Sequence, residues 1–144
     1  MANLGKWLKP FVAGVDGLAD YAKKIYPVFA PAGVAPPFFV YRRLSGSASK
    51  SAAGRDGLKT LRLRLNCWGA ANDYDRLMDL LEKAELRLDG FKGRSLEFEI
   101  RRCFVVDEGD EVSEPEDATG VPLVGPYVDL EVSYAVAAVP PPAH

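Results

Sequence analysis

The stretch from Leu58 to Gly90 constrains this fold more than any other, because the hydrophobic period changes inside it from two to helical. In LKTLRLRLNCWG, Leu61, Leu63, Leu65 and Cys67 take alternate positions, with Arg62, Arg64, Asn66 and Trp68 between them. Successive strand side chains point to opposite faces, so one face is apolar and the other is wet or meets a partner. The chain then passes through Ala70, Ala71 and Asn72 into DYDRLMDLLEKAELRLDG, where Tyr74, Leu77, Leu81, Ala84 and Leu88 step along one helical stripe that Met78 and Leu80 widen. Asn72 is placed to cap this helix, Asp73 and Asp75 suit the positive end of its dipole, and Gly90 suits a left-handed residue after the last turn. A helix with one apolar stripe needs a sheet to lie on.

The rest of the chain supplies that sheet. Leu4, Leu8, Phe11, Val15, Leu18, Ala22 and Ile25 draw a stripe down an N-terminal helix. Proline belongs in a first turn, so the spacing predicts a helix from about Pro10 to Lys24 behind a separate turn carrying Trp7, which is either core or an interface anchor. Gly14 and Gly17 weaken such a helix, leaving docking to stabilise it. A Pro-rich connection with a short strand at Tyr26 to Phe29 leads to the strand FFVYRRL; SGSASKSAAGRDG then joins it to the central strand as a long hairpin arm. In SLEFEIRRCFVV, Leu96, Phe98, Ile100, Phe104 and Val106 fall on one side and Arg102 breaks the alternation as a bulge would. In YVDLEVSYAV, Val128, Leu130, Val132, Tyr134 and Val136 share a face and the other face is polar. These elements predict an α+β fold: an antiparallel sheet of about four main strands, two helices on one face and long hairpin loops, in a single domain over residues 1–136 with a Pro-rich tail over 137–144.

At 144 residues the chain is long enough for one conventional core. Its one histidine, His144, stands at the end of the Pro-rich tail, which removes His-based triads, Cys and His dyads and His-ligated metal sites from consideration. Cys67 and Cys103 lie within apolar strand patterns and read as reduced packing residues, too few for a zinc site. No apolar run is long enough to span a membrane, and Asp16 and Asp20 interrupt the N-terminal stretch where a signal peptide needs a continuous apolar core. Ser47, Ala48, Ser49 and Lys50 match the S-x-x-K pattern of serine acyl-enzymes, but in a small-residue loop with nothing to bury the lysine. No phosphate-cradling glycine motif occurs. Seven of the eleven residues from Asp107 to Asp117 are acidic, without the ligand order of a calcium loop or an apolar pocket to raise one carboxyl for hydrolysis. The expectation is a chain that is not an enzyme and takes no metal or cofactor.

Charge placement carries more information. Arg42, Arg43, Lys50, Arg55, Lys59, Arg62 and Arg64 crowd the first hairpin against the single acid Asp56, while the stretch between the last two strands gathers Asp107, Glu108, Asp110, Glu111, Glu114, Glu116 and Asp117. The plain reading of each is a solvated face; the sharper reading is a head-to-tail interface, in which one copy's basic arm, with Trp68, meets the next copy's acidic loop.

Several pieces in order carry a family resemblance: Ile25, Tyr26 and Pro27 after the first helix, VAPPFFVYRRLSGS from Val34 to Ser47, RLRLNCW from Arg62 to Trp68 leading into the amphipathic helix, and the alternating closing strand. In this the chain resembles the tail terminator and tail-completion proteins of long-tailed bacteriophages and of the related gene transfer agents. Where that family often has an acidic residue two before the tryptophan, Asn66 stands here. The resemblance implies a structural virion protein of the tail or neck, assembled in the bacterial cytoplasm as a hexameric ring. Such a ring caps the head-proximal end of the tail tube, docks to the head connector and lets DNA pass without binding it specifically; the acidic loop then faces either the lumen or a neighbouring subunit. Another neck or head-to-tail joining component is the first alternative, and a small-ligand binding or regulatory domain of ferredoxin-like type the second. The Trp7 segment, the acidic loop and the proline tail depart from the family pattern.

Overall fold

The computed structural model describes residues 4–48, 59–95, 98–113 and 122–136. Six strands form one curled sheet: β1 (Ile25–Pro27), β2 (Phe38–Ala48), β3 (Lys59–Ala70), β4 (Gly93–Ser95), β5 (Phe98–Ser113) and β6 (Leu123–Val136), in the order β1-β2-β3-β6-β5-β4. All neighbours are antiparallel except β1 and β2, which run parallel. Two helices, α1 (Gly5–Ala13) and α2 (Tyr74–Leu88), bury their apolar stripes in a single core with Leu61, Leu63, Leu65 and Cys67 of β3 and Val128, Leu130, Val132 and Tyr134 of β6. The α+β class and the shared helical face are as the sequence implies. The strand number and the all-antiparallel sheet are corrected by two three-residue edge strands. β1 is too short to show a period, and β4 closes against the start of β5, with Ser95 opposite Phe98, so that Ser95 belongs to a separate strand.

The central stretch folds as its two periods require. Leu61, Leu63, Leu65 and Cys67 are buried, and Leu77, Leu81, Ala84 and Leu88 follow them into the core. Leu80 is buried too, whereas Met78 is 42% exposed, which tilts the stripe away from its expected edge. A 3-10 turn over Ala71–Asp73 precedes α2, so the capping position falls to Asp73 rather than Asn72, and its side chain makes no capping hydrogen bond. Gly90 adopts φ +83°, the left-handed conformation expected of it, and its N–H donates to the Cys103 carbonyl at 2.6 Å.

The N-terminal helix differs from expectation. It runs from Gly5 to Ala13 with Pro10 inside it, and only a 3-10 turn at Ala19–Tyr21 follows. Proline deep in a helix removes one backbone hydrogen bond. Docking outweighs that loss here, because Trp7, Leu8 and Val12 are all at most 1% exposed. Trp7 is therefore core, stacked against Phe91 and tilted against Phe11 at centroid distances of 5.9 and 5.4 Å. Gly14 ends the helix and Gly17, at φ +89°, turns the chain back towards β1.

In β5 the register jumps between Ile100 and Arg102, the bulge that Arg102 announces. An extra residue reverses which side chains point inward. Phe98, Ile100 and Cys103 are consequently buried, while Phe104 and Val106, expected on the core side, are 41% and 43% exposed. Leu96 lies outside the described residues, as do Lys50, Arg55, Glu114, Glu116, Asp117 and the tail over 137–144. The acidic residues Asp107, Glu108, Asp110 and Glu111, expected in a loop, belong to β5 itself.

Candidate functional site

The sheet face away from the helices carries the polar half of β3. Antiparallel pairing sets Arg62 opposite Glu131 and Arg64 opposite Asp129, so the alternate positions of β3 meet those of β6 with opposite charge. Arg64 is the centre. Its Nε and Nη2 donate to the two carboxylate oxygens of Asp129 at 2.8 and 3.0 Å, and its Nη1 donates to Glu111 Oε1 at 3.1 Å. The guanidinium carbon lies 3.7 Å from the centroid of the Tyr127 ring, a cation stacked on an aromatic face. Glu111 Oε1 also accepts from Asn66 Nδ2 at 3.2 Å and, at 3.4 Å, from Arg42 Nη2. Burial works to raise the Glu111 carboxyl, but the hydrogen bonds from Asn66 and Arg64, with the charges of Arg42 and Arg64, hold it below its ordinary value. Asn66 and Asp129 are 1% and 3% exposed. A charge that buried needs a partner, and Arg64 is it.

Two glycines let the aromatic side chains of this face lie flat. A Cβ on Gly125 would come within 2.5 Å of the Trp68 ring, and a Cβ on Gly109 would overlap the Tyr127 ring. Trp68 and Tyr127 thus cover the backbone of β6 and β5 where a side chain would otherwise stand. Arg43, one residue from Arg42, lies opposite Leu63 on the other side of the sheet and brings its charge towards Tyr134, lowering a hydroxyl that burial raises. Arg62 remains about half exposed, and Lys59 half-buried at the start of β3. The described basic residues are therefore not one patch: Arg42, Arg62 and Arg64 are paired with acids of the same chain, and Arg43 faces elsewhere.

On the helical side, a groove of about 460 Å³ opens between α2 and β5, with β6 as its floor. Each charged side chain lining it is a carboxylate: Glu82 and Glu85 from α2, Asp89 just past its end, and Glu108 and Asp110 from β5. Met78, Leu81 and Leu86 supply its apolar wall. Tyr74 donates its hydroxyl to Asp110 Oδ1 at 2.7 Å, which raises the phenol pKa. Glu85 is pushed up to about 7, first by burial, then by a hydrogen bond shared with Glu108 and by the charges of Glu108, Asp89 and Glu82. So the acidic residues divide: Glu111 is tied to the arginines of the outer face, whereas Glu108 and Asp110 line the groove.

Cys67 and Cys103 are free and buried, and burial pushes both thiols up to about 12, which keeps them as unreactive packing groups. The residues that sequence reasoning missed are Tyr127, Asp129 and Glu131 on β6, Glu82 and Glu85 on α2, and Asp89 just past its end. The first three had a signal, since pairing the polar faces of β3 and β6 antiparallel sets acid against arginine. The α2 acids look like any solvated helix face until β5 brings Glu108 beside them.

No family model and no curated protein sequence matches the chain. Among solved structures it is similar to a chain of the virion of a native gene transfer agent particle, with a TM-score of 0.59 over 88% of this chain and 91% of that one, at 7% sequence identity. At that identity the likeness is one of fold.

Proposed function

We propose that this protein is a structural component of a phage-like virion. In this reading it is a ring-forming tail terminator that caps the head-proximal end of the tail tube and docks to the head connector. The observation that carries the reading is the shared fold with a gene transfer agent virion chain, which spans almost the whole of both molecules. The residue pieces that resemble tail terminators support it from the sequence side: VAPPFFVYRRLSGS supplies β2, and RLRLNCW supplies the centre of β3.

The mechanism is geometric rather than chemical. A rigid sheet, pinned on its outer face by the Arg64 cluster, presents its two edges to neighbouring copies; closure of the ring stops tube growth, and DNA traverses the lumen without specific contacts. The partners are further copies of the chain, the tail tube protein and the connector. Mass measurement of the purified chain followed by electron microscopy with isolated tail tubes tests this: a ring on one end of each tube is expected. A chain that copurifies with filled heads and leaves tube ends bare would instead make it a head-to-tail joining component.

A further inference from the structure

The segment after β1 has an unusual backbone. Val28 has φ +69°, and the Phe29 N–H donates to the Pro27 carbonyl at 2.8 Å, closing a three-residue turn around a β-branched residue. That conformation is strained for valine and persists only where neighbouring structure holds it. The Val28 N–H, donating to the Tyr41 carbonyl at 2.8 Å, is one such hold. The strained turn exposes apolar surface instead of burying it, leaving Val28 63% and Phe29 74% accessible. Around it the chain is purely basic: between Asp20 and Asp56 the sequence has Lys23, Lys24, Arg42, Arg43, Lys50 and Arg55 and no acid.

The α2 and β5 groove is the complement of this knob, with an apolar wall and only carboxylates for charge. Among the described residues no three of these acids are arranged to hold a metal ion. Pairing partners place the two features on one transverse row of the sheet. Pro27 pairs with Tyr41, Tyr41 with Leu65, Leu65 with Val128, and Val128 with Glu108. Four strand spacings separate β1 from β5, about 19 Å, so one copy does not reach its own groove across the sheet.

We propose that the Val28–Phe29 knob of one copy docks into the acidic groove between α2 and β5 of the next, with Lys23, exposed ahead of β1, meeting its carboxylates while Lys24 is held by the Ala35 carbonyl at 2.9 Å. Because knob and groove are different surfaces, the contact is heterologous, and it closes into a ring where the rotation between copies closes. The proposal rests on the ring reading above in taking a second copy as the occupant.

A chain carrying both Phe29→Cys and Leu86→Cys tests it under mild oxidation, with each single variant as control. Cys67 and Cys103 are buried and do not compete. The expected result is covalent multimers ending in a closed species for the double variant, and dimers at most for either single one. Phe29→Glu, which sets a carboxylate against the groove, is expected to weaken self-association at least tenfold by sedimentation with the circular dichroism of the wild type. A double variant that yields no species beyond those of the singles, or a Phe29→Glu chain that associates like the wild type, overturns the proposal. Rings on tail tubes in that case leave the functional reading intact. Cross-linked filaments without closure would uphold the docking and overturn the ring.

Discussion

At the residue scale the decisive object is Arg64, placed between two carboxylates and an aromatic ring. Removing one partner of a buried pair leaves the other charge unsatisfied, which costs about 3 kcal/mol or more. Arg64→Ala is therefore expected to lower folding stability by that order in urea denaturation, because Asp129 is 3% exposed and Arg64 supplies both of its charged hydrogen bonds. Arg62, about half exposed beside an equally exposed Glu131, makes a contact worth about 0 to 1 kcal/mol. Its alanine variant should be near neutral in the same experiment, and equal losses at both positions would contradict this account. The two arginines look equivalent in RLRLN and are separated only by what stands opposite them. At Gly125 an added Cβ would force Trp68 off the backbone it covers, and overpacking of this kind costs about 1 to 3 kcal/mol. Gly125→Ala should therefore lower the denaturation midpoint and shift the tryptophan emission.

At the scale of elements, α2 serves two neighbours at once. Its buried stripe holds it on the sheet, and Leu81→Ala, at a site 4% exposed, is expected to cost about 2 to 5 kcal/mol. Its outer acids face β5, and Glu85 has the group that reports on this contact. The carboxyl titrates at an ordinary 4.5 when unfolded and at about 7 in the folded chain. Between those values the unfolded state has released a proton that the folded state keeps. Stability contributed by this group is thus complete below about 4.5, falls as pH rises to about 7 and is level above. Glu85→Gln should flatten that portion of the stability against pH curve while leaving the acid limb, to which the depressed Glu111 contributes with the opposite sign, unchanged. An unaltered slope between pH 4.5 and 7 in the variant would refute the contact.

At the scale of the whole molecule, opposite charge is used in two ways. On the outer face it closes within the chain, cross-strand between β3 and β6; on the helical side the acids of α2 and β5 remain without a cation among the residues that line the groove. Charge reversal at Glu111 is accordingly expected to damage folding, through Arg64 and Asn66. Asp110→Lys, at an exposed position lining the groove, is expected to spare folding and to weaken assembly most at low salt, where screening is least. Light scattering across a salt series measures this; an oligomer mass indifferent to both substitution and salt would separate assembly from charge.

The central strand and helix were legible because each has one buried face and a regular period, and burial enforces period regardless of what lies beyond. Gly90 and the bulge at Arg102 were legible for the same local reason, one as a backbone conformation and the other as a break in alternation. Local sequence does not record which strand lies beside which. The pairing of β3 with β6, which turns Arg62 and Arg64 from a free basic patch into intramolecular ion pairs, joins residues more than sixty positions apart. The parity flip that sends Phe104 outward, and the bed of docking contacts that keeps Pro10 inside a helix, likewise depend on neighbours supplied by the fold. Periodicity and backbone chemistry determined the elements of this protein; only tertiary contact decided which charges meet an opposite charge within the chain and which do not.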